Sequence, residues 1–304
     1  MKTTVIDEIK NAFKTGDILT KLIYINVGVW ILVKAILLVL FLLNFQGPTS
    51  GSFIKWLAVP ADLRNLVFKP WTFFTYMFLH EGFMHILFNM LWLFWFGKIF
   101  IEYLGSRKLL SVYILGGMAG AILYIIAFNI FPVFSTVLPY SYALGASASV
   151  LAIVIATATY IPNYSIHLMF IGPVKIKYIA IFSVVLDVLS IQSGNAGGHI
   201  AHLGGAVFGY FFVVKYRNGQ DLSKGFNRIF QYLGTYFLKP DNDMHVAYSS
   251  KNKTNKKKSD ADYNRERASN QRKMDEILDK ISKSGYDSLS KEEKEILFKF
   301  SNKD

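Results

Sequence analysis

Residues 70–97 read PWTFFTYMFLHEGFMHILFNMLWLFWFG. From Met84 to Tyr103 the chain is apolar almost without interruption, and about 20 residues at 1.5 Å each reach across a hydrocarbon core of about 30 Å. Comparable blocks recur at residues 22–44, 109–130, 142–161, 176–191 and 199–214. The pattern predicts an all-α membrane protein with six transmembrane helices.

Composition agrees. Of the 304 residues, 52% are hydrophobic and 16% aromatic, too apolar for a water-soluble domain of this length. The chain has no cysteine, which excludes disulfides, thiolate catalysis and iron–sulfur ligation. A net charge of +12 would suggest nucleic acid in a soluble protein. Here Lys2, Lys10, Lys14, Lys21, Lys98, Arg107, Lys108, Lys175, Lys177, Lys215 and Arg217 all fall on one side of the predicted spans. On the other side lie Lys55, Arg64 and Lys69, all in one long loop at 46–69. This asymmetry is the signature of membrane topology, and it predicts that both termini are cytoplasmic, with the lipid bilayer as the surrounding partner and no nucleic acid. Phe53, Trp56 and Leu57 in the long loop suit the headgroup boundary.

Polar groups inside such segments carry the information, because each is costly in hydrocarbon unless it faces a partner or water. Three clusters stand out: His80, His85 and Asn89 entering the second span, Ser147 and Ser149 within GASAS entering the fourth, and His199 and His202 entering the sixth. All three spans start on the outer side, so the clusters share a depth. A serine hydroxyl needs a base to become nucleophilic, and His202 suits that role near neutral pH. His85 and Asn89, four residues apart and so on one helix face, can donate to a developing oxyanion, as can the backbone N–H of Ser147. Gly145, Ala146, Ala148 and the Gly205-x-x-x-Gly209 spacing allow the fourth and sixth helices to approach closely.

Other readings carry less. His80 and His85 superficially match a zinc-protease HExxH but stand one residue too far apart, about 140° around a helix. A metal held by His199, His202 and His85 lacks an accompanying carboxylate or cysteine in the sequence reading, so no metal and no cofactor are expected. A transporter would call for inverted repeats or broken helices, and neither is evident. His80 and His199 are expected to be supporting hydrogen-bonders. Asp187, in the middle of the fifth span, is expected to be structural, bonded to a neighbouring helix.

The combination of residues 70–97 with GASAS and AHLGGAVFG (201–209) resembles the rhomboid family of intramembrane serine proteases, over residues 19–217. The resemblance implies a rhomboid-like bundle and a Ser147–His202 catalytic dyad without a triad carboxylate. It also implies His85 and Asn89 as oxyanion-stabilising residues, and transmembrane proteins as substrates cut at or near their membrane segments. The implied setting is the bacterial inner membrane, as a multi-pass protein. Two positions depart from the family pattern: Ala148 follows the serine where glycine is usual, and Leu151 stands where an aromatic often stacks on the base. They leave open an alternative, a catalytically weak or inactive rhomboid-like protein that binds membrane proteins.

The remaining organisation is read as an N-terminal amphipathic segment (1–18), the membrane domain (19–217), a surface helix with a disordered basic linker (218–269), and a small helical C-terminal module (270–304). Leu222, Phe226, Ile229, Phe230 and Leu233 form the stripe of the surface helix. Residues 249–269 are polar and charged throughout. Ser290 with Glu293 makes a capping box in the C-terminal module.

Overall fold

The computed structural model describes residues 15–45, 48–168 and 171–228 (backbone alone for 48–52), with isolated positions before residue 15 and short pieces between 277 and 294. The chain divides into two compact units, Met1–Pro240 and Asp241–Asp304.

Six long helices carry the first unit: α1 (Ile18–Leu42), α2 (Phe83–Leu104), α3 (Ser106–Ile130), α4 (Ser147–Tyr160), α5 (Ile176–Ser190) and α6 (Ala196–Arg217). Their ends follow local chemistry. Asp17 caps α1 by accepting from the Thr20 N–H at 2.8 Å, and Asn195 caps α6 by accepting from the Gly198 N–H at 3.2 Å, each satisfying an orphan donor of the first turn. The reversal between α2 and α3 takes a single residue, Gly105, whose φ of +86° suits glycine.

Four of these helices, α1, α2, α3 and α6, are long and apolar enough to cross a membrane. The other two of the six expected spans are helical but shorter. α4 has 14 residues and α5 has 15, about 21 and 22 Å of rise, short of a ~30 Å core. The reason for α4 is visible: Tyr142–Ala143, predicted to open the span, instead form a strand (β2) antiparallel to Val59–Pro60 (β1) of the long loop. Helix begins only at Ser147. Between α4 and α5 the chain makes a second hairpin, Ser165–Leu168 (β3) with Gly172–Lys175 (β4).

α4 is the centre of the unit, packing against α2, α3, α5 and α6. Ten of its 14 residues are buried, as expected for a helix that is apolar all round. It approaches α3 and α6 along small residues. A Cβ at Gly205 would run into the carbonyl of Ala148, one at Gly209 into that of Ala152, and one at Gly120 into both the Ala148 methyl and the Ala201 carbonyl. Backbones therefore touch where side chains would otherwise stand between them.

Polar anchors complete the packing. Asn26 of α1, fully buried, donates to the Tyr113 hydroxyl at 3.0 Å and to the Leu22 carbonyl at 2.8 Å; such interhelical bonds average about 0.6 kcal/mol in membranes. The long loop is bound to the bundle rather than merely resting beside it. Asn129 donates to the Ala61 carbonyl at 2.8 Å, and the Tyr76 hydroxyl to the Gly117 carbonyl at 2.5 Å. Trp56, more than half exposed, and Trp71 pack with ring centroids 4.9 Å apart.

Of the flanking expectations, most of the N-terminal amphipathic segment up to residue 14, Ile229, Phe230 and Leu233 of the surface helix, and the linker at 249–269 lie outside the described residues. Residues 223–228 are helical. In the second unit, the Ser290 N–H donates to Glu293 at 2.7 Å and the Glu293 N–H to the Ser290 hydroxyl at 3.2 Å, the reciprocal pair of a capping box. Ile277 and Leu289 are buried there.

Candidate active site

Ser147 is the first residue of α4, so its backbone N–H and those that follow lack intrahelical acceptors and point out of the helix end. The approach to it is set by three constraints. β1 holds β2, the Ala61 N–H donates to the Ser141 carbonyl at 3.0 Å, and the Gly145 N–H donates to the Tyr76 carbonyl at 2.9 Å. Gly145 itself has φ +128°, and a Cβ on it would lie 3.0 Å from Cε1 and Nε2 of His85. Only glycine fits both demands.

His202 lies one and a half turns into α6, facing α4 across the small-residue seam. Its Nε2 is 2.6 Å from the Ser147 Oγ. On its far side, Nδ1 is 2.8 Å from Oδ1 of Asp187 in α5. The same Oδ1 is 2.8 Å from Nδ1 of His199, three residues before His202 on the same face of α6. Asp187 falls on the inward stripe of α5 with Ile176 and Ala180, the buried residues of that helix. A carboxylate only accepts, so with Asp187 ionised both imidazoles are protonated at Nδ1, and a neutral His202 presents its Nε2 lone pair to the serine hydroxyl.

A cavity of about 900 Å³ opens over this pair and is bordered by α2 on one side and α5 on the other. His85, Asn89, Ser147 and His202 all line it. The four residues singled out in the sequence therefore meet in one place, although only Ser147 and His202 bond side chain to side chain. One proton of the Asn89 amide is engaged, donating to the His85 carbonyl at 2.8 Å; the group has a second.

The other polar residues sort themselves. Ser149, fully buried, faces Gly117, away from the cavity, and its hydroxyl has no hydrogen-bond partner among the described residues. His199 is a supporting hydrogen-bonder, as expected. His80 differs: among the described residues neither of its buried ring nitrogens makes a hydrogen bond of good geometry, and the ring stands edge-on to His85 with centroids 5.1 Å apart. It precedes α2, which begins at Phe83, so the two histidines do not share a helix at all. Burial, with the neighbouring His85, pushes the His80 pKa down to about 4, so the ring is neutral at physiological pH. Ala148 seats its methyl against Gly120, and Leu151 lines the cavity wall.

No carboxylate lies near His199 and His202 in sequence, but the fold brings Asp187 to them, and the three offer ligand atoms within 4.8 Å of one another. Their spacing on a single oxygen at 2.8 Å is that of hydrogen bonds. Asp187 was legible as a costly group in a span, but its partners are set by how α5 docks on α6.

Residues 67–218 match the rhomboid domain family, 152 of the 304 residues, and residues 257–303 match a family of unknown function (DUF6576). Among curated proteins, the chain is similar to the "Rhomboid protease GlpG" of Salmonella newport (strain SL254), 36% identical over 89 residues, which are 29% of this chain and 31% of that protein. It is similar also to "RHOMBOID-like protein 12, mitochondrial" of Arabidopsis thaliana, 30% identical over 158 residues, 49% of this chain and 47% of that one. The chain thus spans between about a third and a half of the length of these relatives. It is an integral membrane protein with a helical bundle, and it belongs to the rhomboid family.

Proposed function

We propose that this chain is an intramembrane serine endopeptidase that hydrolyses peptide bonds at or near the transmembrane segments of other membrane proteins. The observation that carries the reading is the 2.6 Å approach of His202 Nε2 to Ser147 Oγ on the wall of a cavity between two membrane-length helices, α2 and α6, and the shorter α4 and α5. In this reading Ser147 attacks the scissile carbonyl while its proton passes to Nε2 of His202. That proton then goes to the leaving amine, and water, deprotonated by the same imidazole, hydrolyses the acyl-enzyme. His85, Asn89 and the Ser147 N–H at the start of α4 stabilise the tetrahedral oxyanion. The name of the Salmonella relative, a rhomboid protease, supports the assignment.

All six long helices cross the bilayer in this reading, with both termini cytoplasmic in a bacterial inner membrane. The shortness of α4 and α5 is compatible with it, because the cavity admits water above the N-terminus of α4 and less hydrocarbon remains to be spanned. Residues 1–18 form an N-terminal surface segment, 19–217 the membrane domain, 218–269 a surface helix and linker, and 270–304 a small appended module. An inactive membrane-protein binder is favoured by Ala148 and Leu151, but the Ala148 methyl is accommodated by Gly120 and neither position replaces a reacting group.

The test is to label the purified protein with a serine-reactive phosphonate, map the adduct, and measure cleavage of a reporter transmembrane substrate in liposomes. Labelling at Ser147 with cleavage is expected. A parent protein that neither labels nor cleaves sinks the protease reading and leaves the binder. For topology, a reporter fused after Arg217 is expected in the cytoplasm and one between Ser135 and Pro139 outside; both on one side would break the six-span arrangement.

A further inference from the structure

The family pattern that this chain resembles uses a serine and a histidine alone, yet here a carboxylate stands behind the histidine. We propose that Asp187 is a positioning residue for His202, making the site a Ser147–His202–Asp187 relay in geometry, with His199 as the second anchor of the carboxylate. The inference rests on the protease reading above.

Three observations carry it. First, the chain of distances is continuous: Ser147 Oγ to His202 Nε2 at 2.6 Å, and His202 Nδ1 to Asp187 Oδ1 at 2.8 Å. Second, the bond selects a tautomer. A neutral imidazole can act as base toward Ser147 only if Nε2 is unprotonated, and an acceptor-only group at Nδ1 is what enforces that. Without it, the other tautomer would place an N–H against the serine oxygen and leave no lone pair for its proton. Third, the carboxylate is itself held. Oδ1 also receives the Nδ1–H of His199 at 2.8 Å, so two donors one turn apart on α6 fix its position, and its side chain is only 11% exposed.

A purely structural role is the competing account: Asp187 would be a latch between α5 and α6, indifferent to the tautomer of His202. The two roles differ in what they change. Positioning alters kcat and the nucleophilicity of Ser147, while a latch alters stability and the fit of substrate. A carboxylate behind the base is worth up to ~10⁴-fold in triad proteases. Asp187 divides its bond between two imidazoles beside a cavity, so a smaller effect, about 10- to 10³-fold, is expected here.

The experiment compares the full-length parent with Asp187→Ala, His199→Ala and His202→Ala in cleavage of a reporter transmembrane substrate, in phosphonate labelling rate and in thermal melting. Formate is added at an ionic strength matched by chloride, because Asp187 borders the cavity and its deletion leaves room there for a small carboxylate. Expected results are a kcat loss of about 10- to 10³-fold in Asp187→Ala with KM changed by less than about 2-fold, a parallel fall in labelling, and partial recovery of kcat by formate but not by chloride. His199→Ala is expected to lose less than Asp187→Ala, and His202→Ala to gain nothing from formate. A parent-like kcat in Asp187→Ala overturns the proposal. So does a loss confined to KM or melting temperature that formate does not repair, and so does parental activity abolished by a chelator and restored by Zn²⁺. Nitrogen-15 histidine spectra decide the matter independently of activity: His202 is expected as the Nδ1–H tautomer in the parent, changing in Asp187→Ala. If the parent itself is inert, the protease reading fails, while these spectra still show whether Asp187 sets the tautomer; an unchanged tautomer overturns the positioning role.

Discussion

The seam between α4 and α6 and the helix α5 are built on opposite principles. Along the seam, Gly205 and Gly209 bring backbone against backbone, and the reacting pair is held at 2.6 Å by packing that has no freedom to relax. α5 buries only Ile176, Ala180 and Asp187 and turns Ile181, Phe182 and Leu189 outward, the last 70% exposed. Its outer face suits lipid, where one apolar group serves as well as another. The comparison teaches that precision here is bought with small residues, whereas hydrophobicity alone sets no position. α5 touches the chemistry at one residue, Asp187.

The seam is broken most directly by bulk. Gly205→Leu should give the largest effect of any single change, because overpacking typically costs about 1–3 kcal/mol even where neighbours can shift, and here the obstacle is the Ala148 carbonyl. Loss of the folding transition in a thermal melt, or a melting temperature below that of every other variant, is expected. A parent-like melt with full activity would show that the helices are not pressed together as described.

Next comes the chemistry that the seam holds in place. Ser147→Ala should abolish cleavage and phosphonate labelling, and His202→Ala should abolish cleavage, with both melting near the parent. Wild-type turnover by Ser147→Ala in the liposome assay would end the protease reading. His85→Ala and Asn89→Ala should lose about 10²- to 10³-fold in kcat and no more, since each is one of several oxyanion donors. An effect below about 3-fold for both, measured as kcat on the reporter substrate, would remove them from the site.

Smaller effects sharpen the same contrast. Ser149→Ala removes a buried hydroxyl with no partner among the described residues, so melting should be unchanged or rise by the equivalent of up to about 1 kcal/mol, with activity intact. A marked loss of activity would place Ser149 in the site after all. Truncation after Lys239 should leave cleavage largely unaffected, because the cavity is lined entirely by the first unit. Smallest of all, Leu189→Ala on the outer face of α5 should shift the melt by less than about 0.5 kcal/mol equivalent; a large shift would mean that this face packs against protein.

How far the sequence reaches depends on whether a feature is local. Membrane-length helices are legible because length and composition along one segment decide whether it can leave water. Ser147, His202, His85 and Asn89 are legible because a polar group in an apolar run is costly enough to demand a reason, and all four do line one cavity. Reading along the chain failed where a distant segment intervened. α4 starts five residues later than its hydrophobicity suggests, because Val59–Pro60 draws Tyr142–Ala143 into a strand. His80, expected to be a supporting hydrogen-bonder, has both ring nitrogens buried with no hydrogen bond among the described residues. Asp187 was recognised as costly but had no partner until α5 and α6 were packed, when two imidazoles converged on one of its oxygens. Composition fixes which residues leave water; only the docking of helices far apart in sequence decides which polar atoms meet, since hydrogen bonds have a direction and burial does not.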